Sequence, residues 1–229
     1  MSVFHGIPFF EGLDPALDEA HARHCLRKRY SEGELVVDYE DDSTDVYFIV
    51  GGDVRVLIRT ASGKEMILGD FGPGRLFGEM AAIDGIKRSA NVTALTNADL
   101  CVVPAASFRA IVFAQPHVCE RLLRLFTARV RDLNIRLFER SALDLKHRLY
   151  SELLRLSAPR KGVAGQAIVT PPPLQHDLAA RIGCRREQVS RELTLMIEEG
   201  LAEKNRGGLV LPHPAELEKR IHAALDQAS

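Results

Sequence analysis

The chain of 229 residues is long enough for two domains of ordinary size, each with a hydrophobic core of its own. Hydrophobic residues make up 46% of it and charged residues 27%, which is typical of globular proteins. No apolar run reaches the roughly 18 residues of a membrane span, and residues 1–12 lack the regions of a signal peptide, so we expect a cytoplasmic protein.

The net charge of −1 is unevenly distributed along the chain. Residues 1–112 contain 11 Lys and Arg against 17 Asp and Glu, a net charge of −6. Residues 113–229 contain 19 against 14, a net charge of +5. A basic half attracts polyanions, so the asymmetry indicates either a nucleic-acid-binding second half or a solvated surface without such a function.

Four cysteines lie singly in the sequence, without a CxxC pair or a nearby cluster of His or Asp: Cys25, Cys101, Cys119 and Cys184. A zinc site or an iron–sulfur cluster needs closely spaced ligands. We therefore expect no metal site and interpret the cysteines as small buried apolar residues.

The first 29 residues show a helical pattern, and Asp14 and Pro15 suit a helix cap and a first helical position. The side chains that recur at helical spacing are Phe9, Phe10, Leu13, Leu17, Ala20 and His24. The pattern predicts helical structure over residues 1–29.

Short segments rich in Val, Ile and aromatic residues follow, and turns that contain glycine separate them. The predicted strands are residues 35–37, 46–50, 54–58, 66–68 and 100–103. The predicted turns lie at residues 32–34, 51–53, 62–64 and 71–74. Strands that recur about every ten residues predict an antiparallel roll or barrel.

Residues 77–90 interrupt this roll and carry polar groups that suit a sugar phosphate. Residues 79–83 are expected to form one helical turn, whose free N–H groups bind anions, and Gly78 lets a ligand approach the backbone. Glu79 offers an acceptor for sugar hydroxyls, Arg88 offers bidentate hydrogen bonds to phosphate, and Ser89 offers a hydroxyl. These groups predict a ribose-phosphate site, with a structural ion pair between Glu79 and Arg88 as the alternative.

Residues 115–140 contain no further glycine or proline after Pro116, which suits the first position of a helix. An apolar stripe runs along this segment at steps of three and four: Leu122, Phe126, Val130, Leu133 and Leu137. The pattern predicts a helix roughly 35 to 40 Å long. These residues alone allow either a helix packed against its own barrel or one half of a two-chain coiled coil.

Helical spacing continues over residues 141–156, with Asp144 between the two helical segments. Residues 168–173 predict a short strand and a rigid proline turn. Residues 174–182 and 185–199 then predict two short helices joined at Gly183-Cys184, which form a helix–turn–helix. Simple packing of two helices with surface arginines is the alternative.

The second helix of this pair presents long polar side chains at its N-terminal end, where a recognition helix meets base edges. The candidates for DNA contact are Arg185, Arg186, Glu187, Gln188, Ser190 and Arg191. Arginine pairs with guanine, and glutamate accepts a hydrogen bond from cytosine. Residues 200–211 predict a hairpin with a Gly-Gly turn, a wing from which Lys204 and Arg206 reach phosphates.

Gly78-Glu79-Met80 and the step of nine residues from Glu79 to Arg88-Ser89 resemble the phosphate-binding cassette of cyclic-nucleotide-binding domains. The motifs at residues 32–34, 46–49 and 52–54 resemble the β-roll of the same domains. The resemblance implies that Glu79 holds the ribose 2′-hydroxyl, while Arg88, Ser89 and the amides after Gly78 hold the cyclic phosphate.

Residues 182–193, Ile-Gly-Cys-Arg-Arg-Glu-Gln-Val-Ser-Arg-Glu-Leu, resemble the recognition element of the CRP/FNR transcription factors. The correspondence places Arg186, Glu187 and Arg191 at the base-contacting positions of the catabolite activator branch, which implies a palindromic TGTGA-like operator. Arg185 and Gln188 depart from the Ser and Thr usual there. We expect Arg185 to add a phosphate or guanine contact and Gln188 to shift the preference at one base pair.

The resemblance covers nearly the whole chain and implies an α+β fold. Its expected parts are a cyclic-nucleotide-binding β-roll at 1–113, a dimerisation helix at 114–143 and a winged helix–turn–helix at 144–229, ending in an extra packed helix. In the family the long helix closes over the base through a Thr-Ser pair, and alignment places Leu133 and Asn134 there. Leu133 cannot donate a hydrogen bond and is expected to pack in the dimer seam, whereas Asn134 is a candidate for reading a purine edge.

The sequence thus predicts a homodimeric transcription regulator that binds double-stranded DNA after cAMP binds, with RNA polymerase as a further partner. The same scaffold responding to cGMP or cyclic di-GMP is the nearest alternative, followed by a ligand-independent, redox-sensing or haem-sensing relative. An enzyme is the third class. We expect no catalytic activity, because the eight histidines form no constellation with a nucleophile.

Overall fold

The computed structural model describes residues 2–60 and 63–227. The chain divides into two compact units, the N-terminal unit (Met1–Arg129) and the C-terminal unit (Val130–Ser229). Ser62, in one of the predicted turns, and the last two residues of the predicted terminal helix lie outside the described residues.

The chain begins with a 3₁₀ turn, Pro8–Phe10, and the helix α1, Pro15–Ala22. Asp14 caps α1 as predicted, because its carboxylate accepts the amide of Ala16 at 2.8 Å. The prediction of helical structure as far as residue 29 is wrong, since Leu26–Tyr30 forms the strand β1 at the edge of a sheet. Three consecutive charged residues hide the alternation of this strand, and such charges are typical of sheet edges.

In the described part of the chain, seven more strands complete the N-terminal roll. They are β2 (Leu35–Val37), β3 (Val46–Gly51), β4 (Val54–Arg59), β5 (Glu65–Phe71), β6 (Leu76–Phe77), β7 (Asn91–Ala94) and β8 (Ala98–Val103). They form two antiparallel sheets with the orders β1–β8–β3–β6 and β2–β7–β4–β5. The predicted roll and its five strands are confirmed, while β1, β6 and β7 had not been predicted.

The sequence of β3 is apolar without interruption because both faces of the strand are buried. Val46 and Phe48 pack into a core with the N-terminal segment, whereas Tyr47 and Ile49 pack between the two sheets. A strand that is buried on both faces needs apolar residues at successive positions, not at alternate ones.

Among the described residues, three further helices join the roll: α2 (Glu79–Asp84), α3 (Ala105–Ala114) and α4 (Pro116–Ala142). The unpredicted α3 buries Phe108, Ile111 and Val112 in the same core as Phe48. Cys25 and Cys101 also lie in this core, where burial raises the pKa of the Cys25 thiol to about 12 and that of Cys101 to about 11. These two thiols are therefore poor nucleophiles, as expected for small buried residues.

The long helix α4 begins at Pro116, as predicted, and contains 27 residues. Leu122 is buried in the N-terminal core and Phe126 packs against it. Farther along the predicted stripe, the side chains are exposed by 54% at Val130, 59% at Leu133 and 65% at Leu137. The start of the stripe thus packs on the chain's own roll, and the rest remains open for another contact.

The C-terminal unit follows α4, and its described residues form four further helices and four short strands. They are α5 (Leu145–Leu156), β9 (Ala158–Pro159), β10 (Ala167–Val169), α6 (Gln175–Ile182), α7 (Arg186–Glu198), β11 (Glu203–Asn205), β12 (Gly208–Leu211) and α8 (Pro214–Gln227). The strands pair in the order β11–β12–β10–β9, and all four helices contribute to one core. The unit is a winged helix–turn–helix, as predicted.

Three details concern the ends of these elements. Asp144 caps α5 by accepting the amide of His147 at 3.0 Å, so the break between α4 and α5 lies where it was predicted. The wing turn is Arg206-Gly207, because Asn205 pairs with Gly208, and the predicted Gly-Gly turn is wrong by one residue. The predicted terminal helix is α8, which buries Leu217 and Ile221.

Within the described residues, no helix is both long and apolar enough to cross a membrane.

A stability prediction follows from Glu40, a non-glycine residue with a φ of +62° in the loop before β3. A side chain in this left-handed conformation costs about 1 to 2 kcal/mol, whereas glycine adopts it without strain but loses about 0.5 to 1 kcal/mol in chain entropy. We expect Glu40→Gly to raise the free energy of unfolding of the N-terminal unit by about 0.5 to 1 kcal/mol. Calorimetry of the full chain measures this gain.

The matched control is Glu40→Ala, which removes the carboxylate but keeps the Cβ atom. It is expected to give none of the gain. Equal stability of the two variants would contradict the strain argument.

Candidate functional site

The predicted cassette lies between β6 and β7, and its helical turn is the six-residue helix α2. Gly78 precedes the helix with a φ of +85°. A Cβ atom on Gly78 would lie 2.6 Å from Nη1 of Arg88 and 2.7 Å from the carbonyl oxygen of Asp45. Glycine is therefore required here both for the backbone conformation and for the close approach of Arg88.

Glu79 is the most buried acid of the cassette, with 1% of its surface exposed. Its Oε1 accepts a hydrogen bond from the guanidinium group of Arg129 on α4, which also donates to the carbonyl oxygen of Leu76 at 2.8 Å. Burial raises the pKa of Glu79, and the charge of Arg129 partly offsets that rise. Oε2 is buried and has no hydrogen-bond partner among the described residues, so one acceptor is left for a hydroxyl group.

Arg88 is 3% exposed and donates hydrogen bonds to two segments of the chain. Its Nη1 donates to the carbonyl oxygen of Gly78 at 3.0 Å, its Nη2 to that of Asp45 at 2.8 Å, and its Nε to Ser43 Oγ at 3.0 Å. Burial lowers the pKa of Arg88, and the nearby acids and Tyr47 oppose this. The guanidinium group thus closes the loop before β3 onto the cassette.

The alternative of an ion pair between Glu79 and Arg88 does not describe the site. Glu79 pairs with Arg129, while Arg88 faces backbone carbonyls and lies 5.7 Å above the ring of Tyr47. Tyr47 in turn stacks on Phe77 with ring centres 4.9 Å apart. An acid and a cation in one cassette, each with its own partner, suit a ligand that carries both hydroxyl and phosphate groups.

The other predicted ligand residues are at the surface. Met80 is 50% exposed, and the exposed Ser89 hydroxyl is 4.0 Å from its sulfur atom. Leu133 and Asn134 are both exposed on the part of α4 that belongs to the C-terminal unit. A role in ligand binding for these four residues stays a prediction.

Sequence reasoning missed the groups that hold the two charged residues of the cassette. Arg129 lies 50 positions from Glu79, and no spacing in the sequence links them. Ser43 and the Asp45 carbonyl lie in an acidic loop that has no regular pattern. Tyr47 lies in the predicted strand at residues 46–50, and its contact with Arg88 had not been predicted.

The second candidate site is the helix–turn–helix of the C-terminal unit. Gly183 ends α6 with a φ of +71°, which makes the sharp corner that the sequence predicted. On α7, Val189, Leu193 and Met196 are buried and Ile197 is half-buried, so the predicted inward face is confirmed. The N-terminal end of α7 is exposed, with Arg185, Arg186, Glu187 and Gln188 at the surface.

The two departures from the family pattern on α7 contact each other. Arg185 is the N-cap residue, and its side chain has no acceptor for the free amides of the first turn. The side chain of Gln188 reaches back to this position, where its Oε1 accepts the backbone amide of Arg185 at 3.0 Å. The Gln188 side chain therefore caps the recognition helix.

The remaining predicted DNA-contact residues differ in the exposure and hydrogen bonding of their side chains. Arg191 is exposed, and its Nε donates to the carbonyl oxygen of Glu187 at 3.3 Å, whereas Ser190 is half-buried. Lys204 is exposed in β11, and Arg206 is exposed in the wing turn. The C-terminal unit thus exposes a mostly basic surface at the start of α7 and two cations on the wing.

The described residues contain no group of three or more His, Cys, Asp or Glu arranged to hold a metal ion. Their four cysteines are free thiols.

Two protein families match the chain, the cyclic nucleotide-binding domain over residues 27–115 and the Crp-like helix-turn-helix domain over residues 147–220. The cyclic AMP receptor protein of Thermus thermophilus is 30% identical over 214 residues, which cover 93% of this chain and 96% of the relative.

Two solved structures are also similar. The structure of the Thermus thermophilus catabolite activator protein has 29% identity and a TM-score of 0.51, and the match covers 95% of this chain and 99% of that one. The cyclic di-GMP responsive regulator CLP of Xanthomonas campestris has 23% identity and a TM-score of 0.70, over 86% of this chain and 99% of that one. At 23% identity, the likeness to the Xanthomonas regulator shows a shared fold only.

A prediction follows from the pair of Glu79 and Arg129. Replacing Arg129 with methionine leaves a buried carboxylate without its cation, which costs about 3 kcal/mol or more. We expect Arg129→Met to lower the free energy of unfolding by about that amount at about pH 8. The loss is expected to be smaller at about pH 5, because burial raises the pKa of Glu79 and its protonation then relieves the unpaired charge.

Urea denaturation at the two pH values measures the effect. Arg131→Met, at an exposed arginine on the same helix, is the matched control and is expected to have little effect at either pH. The same loss at both pH values would contradict the assignment to Glu79.

Proposed function

The chain belongs to the CRP/FNR family of transcription regulators, and we propose that it is a homodimeric, sequence-specific DNA-binding protein switched by cAMP. The observation that carries this proposal is the combination of the two sites in one chain. A cassette with a buried Glu79 and Arg88 lies in one unit, and a recognition helix with exposed Arg186 and Glu187 lies in the other. A regulator needs both a receptor and a reader.

The nucleotide is proposed to bind through its ribose and phosphate. Glu79 Oε2 is the acceptor for the 2′-hydroxyl, and the amides after Gly78, together with Arg88 and Ser89, bind the cyclic phosphate. For this, Arg88 has to exchange at least part of its hydrogen bonding to Asp45 and Ser43 for bonds to phosphate. Binding of the phosphate would then loosen the loop before β3.

The base of the nucleotide is proposed to contact Leu133 and Asn134. An asparagine side chain has both a donor and an acceptor and can read a purine edge, whereas leucine offers an apolar surface only. The name of the Thermus relative supports cAMP. The missing donor at Leu133 and the ligand of the Xanthomonas regulator support the second candidate, the same scaffold responding to cGMP or cyclic di-GMP.

The partner of the open stripe on α4 is proposed to be a second copy of the chain. Leu123, Val130 and Leu137 follow at steps of seven, the repeat of a coiled coil, and each is more than half exposed. Leu133 lies beside them on the same stripe. A dimer that buries this stripe sets two recognition helices about 34 Å apart, the distance between successive major grooves.

The proposed DNA target is a palindrome with TGTGA-like half-sites. Arg186, Glu187 and Arg191 are the base-reading residues, and Arg185, Lys204 and Arg206 contact phosphates. Gln188, which also accepts the Arg185 amide, and the half-buried Ser190 are further candidates for contact with the DNA. We further propose that the regulator acts in the cytoplasm and contacts RNA polymerase.

The experiment that tests the function is a gel-shift titration of the full chain on a TGTGA palindrome with cAMP, cGMP and cyclic di-GMP. We expect one of the nucleotides to tighten binding, and Arg88→Lys to need about tenfold more of it, because lysine cannot make the bidentate phosphate contact. Lysine is chosen because Arg88 is also structural, so Arg88→Ala is expected to destabilise the loop before β3.

Lys87→Ala, at the exposed neighbour of Arg88, is the matched control and is expected to respond like the unchanged chain. A full nucleotide response in Arg88→Lys would refute the assignment of the pocket. Operator binding that no nucleotide changes would favour a ligand-independent regulator.

A second prediction separates base reading from phosphate contact. Arg186→Ala is expected to cost about 1 to 3 kcal/mol on the TGTGA palindrome and to relax the preference at one base pair. Lys204→Ala is expected to weaken binding to all sequences alike and to reduce the salt dependence by about one phosphate contact. Fluorescence anisotropy at several salt concentrations on matched and mismatched DNA measures both, and identical profiles for the two variants would contradict the division of roles.

A further inference from the structure

A buried carboxylate in the C-terminal unit connects three helices. Glu152 on α5 is 2% exposed and lies among three guanidinium groups. Arg155, one turn along the same helix, donates to its Oε2 at 2.5 Å. Arg136 on α4 lies 3.5 Å from Oε2, and Arg181 on α6 lies 3.5 Å from Oε1. One side chain thus ties the end of the long helix to the first helix of the helix–turn–helix.

Arg155 adds a second connection to α4. Its Nη2 donates to both carboxylate oxygens of Glu139, at 2.8 and 3.0 Å. Arg136 and Glu139 are three positions apart, so they lie on the same face of α4, and both reach α5. The last turns of α4 are therefore held by two charged contacts of opposite polarity, which fixes the helix in rotation as well as in position.

A third contact joins the same part of α4 to the turn of the helix–turn–helix. A Cβ atom on Gly183 would lie 3.0 Å from Nη1 of Arg140 and 3.2 Å from its Cζ and Nη2. The guanidinium group of Arg140 therefore lies against the backbone of the turn between α6 and α7. Rotation of the end of α4 would displace both Arg140 and Arg136, the partner of Glu152 on this helix.

Buried ion pairs contribute little net stability, because the loss of hydration offsets much of the attraction. Their demand on geometry is strict, since a buried carboxylate that loses a partner is left with an uncompensated charge. Two orientations of α4 against the helix–turn–helix would thus differ in energy, whereas an apolar contact would tolerate a small rotation of α4. The contacts of Glu152 with Arg136, Arg155 and Arg181, here called the joint, are therefore better suited to transmitting a movement of α4 than to adding stability.

We propose that Glu152 is a positioning residue that transmits the nucleotide signal from α4 to the recognition helix, through Arg136 on one side and Arg181 on the other. The proposal rests on the proposed function, in which α4 responds to the nucleotide. It assigns a role to a residue that contacts neither the proposed nucleotide site nor the proposed DNA site. Without the joint, each site is expected to bind its own ligand, but neither is expected to influence the other.

The test measures the coupling between the two sites in both directions. Because coupling is reciprocal, the factor by which cAMP tightens operator binding equals the factor by which the operator tightens cAMP binding. The coupling factor of the unchanged chain is expected to be about 5 to 150, the usual range for allosteric proteins. Titrations of the full chain with labelled operator and labelled cAMP, with cGMP and cyclic di-GMP in parallel, give it directly.

Two variants break the joint at different points. Arg136→Gln removes the direct contact between α4 and Glu152, while Glu152 keeps Arg155 and Arg181, so this variant is expected to fold. Glu152→Gln removes the central charge. We expect both to reduce the coupling factor to within about twofold of one while nucleotide affinity without DNA stays unchanged.

Glu199→Gln is the matched control, because Glu199 also pairs with two cations, Lys146 and Arg220, but contacts no residue of α4 through them. It is expected to keep the full coupling factor. Variants that weaken operator binding equally with and without nucleotide, at an unchanged coupling factor, would overturn the proposal and leave Glu152 a structural residue. An unchanged chain without coupling to any of the nucleotides would instead refute the proposed function itself, and the joint with it.

Discussion

The architecture of the nucleotide cassette depends on one buried cation. The guanidinium group of Arg88 donates to the carbonyl oxygens of Gly78 and Asp45 and to the hydroxyl of Ser43, so it holds the loop before β3 against the start of α2. A buried charge is tolerated only where such acceptors surround it, and the acceptors are thereby fixed in place. Because the same group is the proposed phosphate ligand, ligand contact and loop position are linked through a single side chain.

The sequence predicted those parts of the fold whose local pattern reflects their surroundings. The continuous apolar run of β3 reports burial on both faces, and the cap at Asp144 marks the break between α4 and α5. The glycine corner at Gly183 and the inward face of α7 are equally local. In the cassette, Gly78 and the helical turn after it were predicted as a place where a ligand approaches the backbone, and the structure adds that Gly78 has a left-handed conformation.

The remaining features depend on partners that are distant in the sequence. The strand β1 is defined by its pairing with β8 and not by its own charged residues, so it was interpreted as helix. The pair of Glu79 and Arg129 joins residues 50 positions apart, and only the packing of α4 on the roll brings them together. The helix α3 is different, since Phe108, Ile111 and Val112 have helical spacing, and this signal was overlooked.

The cap on the recognition helix has a consequence for engineering operator preference. Gln188 accepts the backbone amide of Arg185 at the start of α7, so the two positions form one structural unit. When a recognition helix is transplanted from a relative with serine and threonine at these positions, both residues have to be transferred at the same time. Exchange of Gln188 alone removes the acceptor of the Arg185 amide, and exchange of Arg185 alone adds a serine acceptor for the amides of the first turn. In either case the change in affinity also reports the stability of the helix start and not base preference alone.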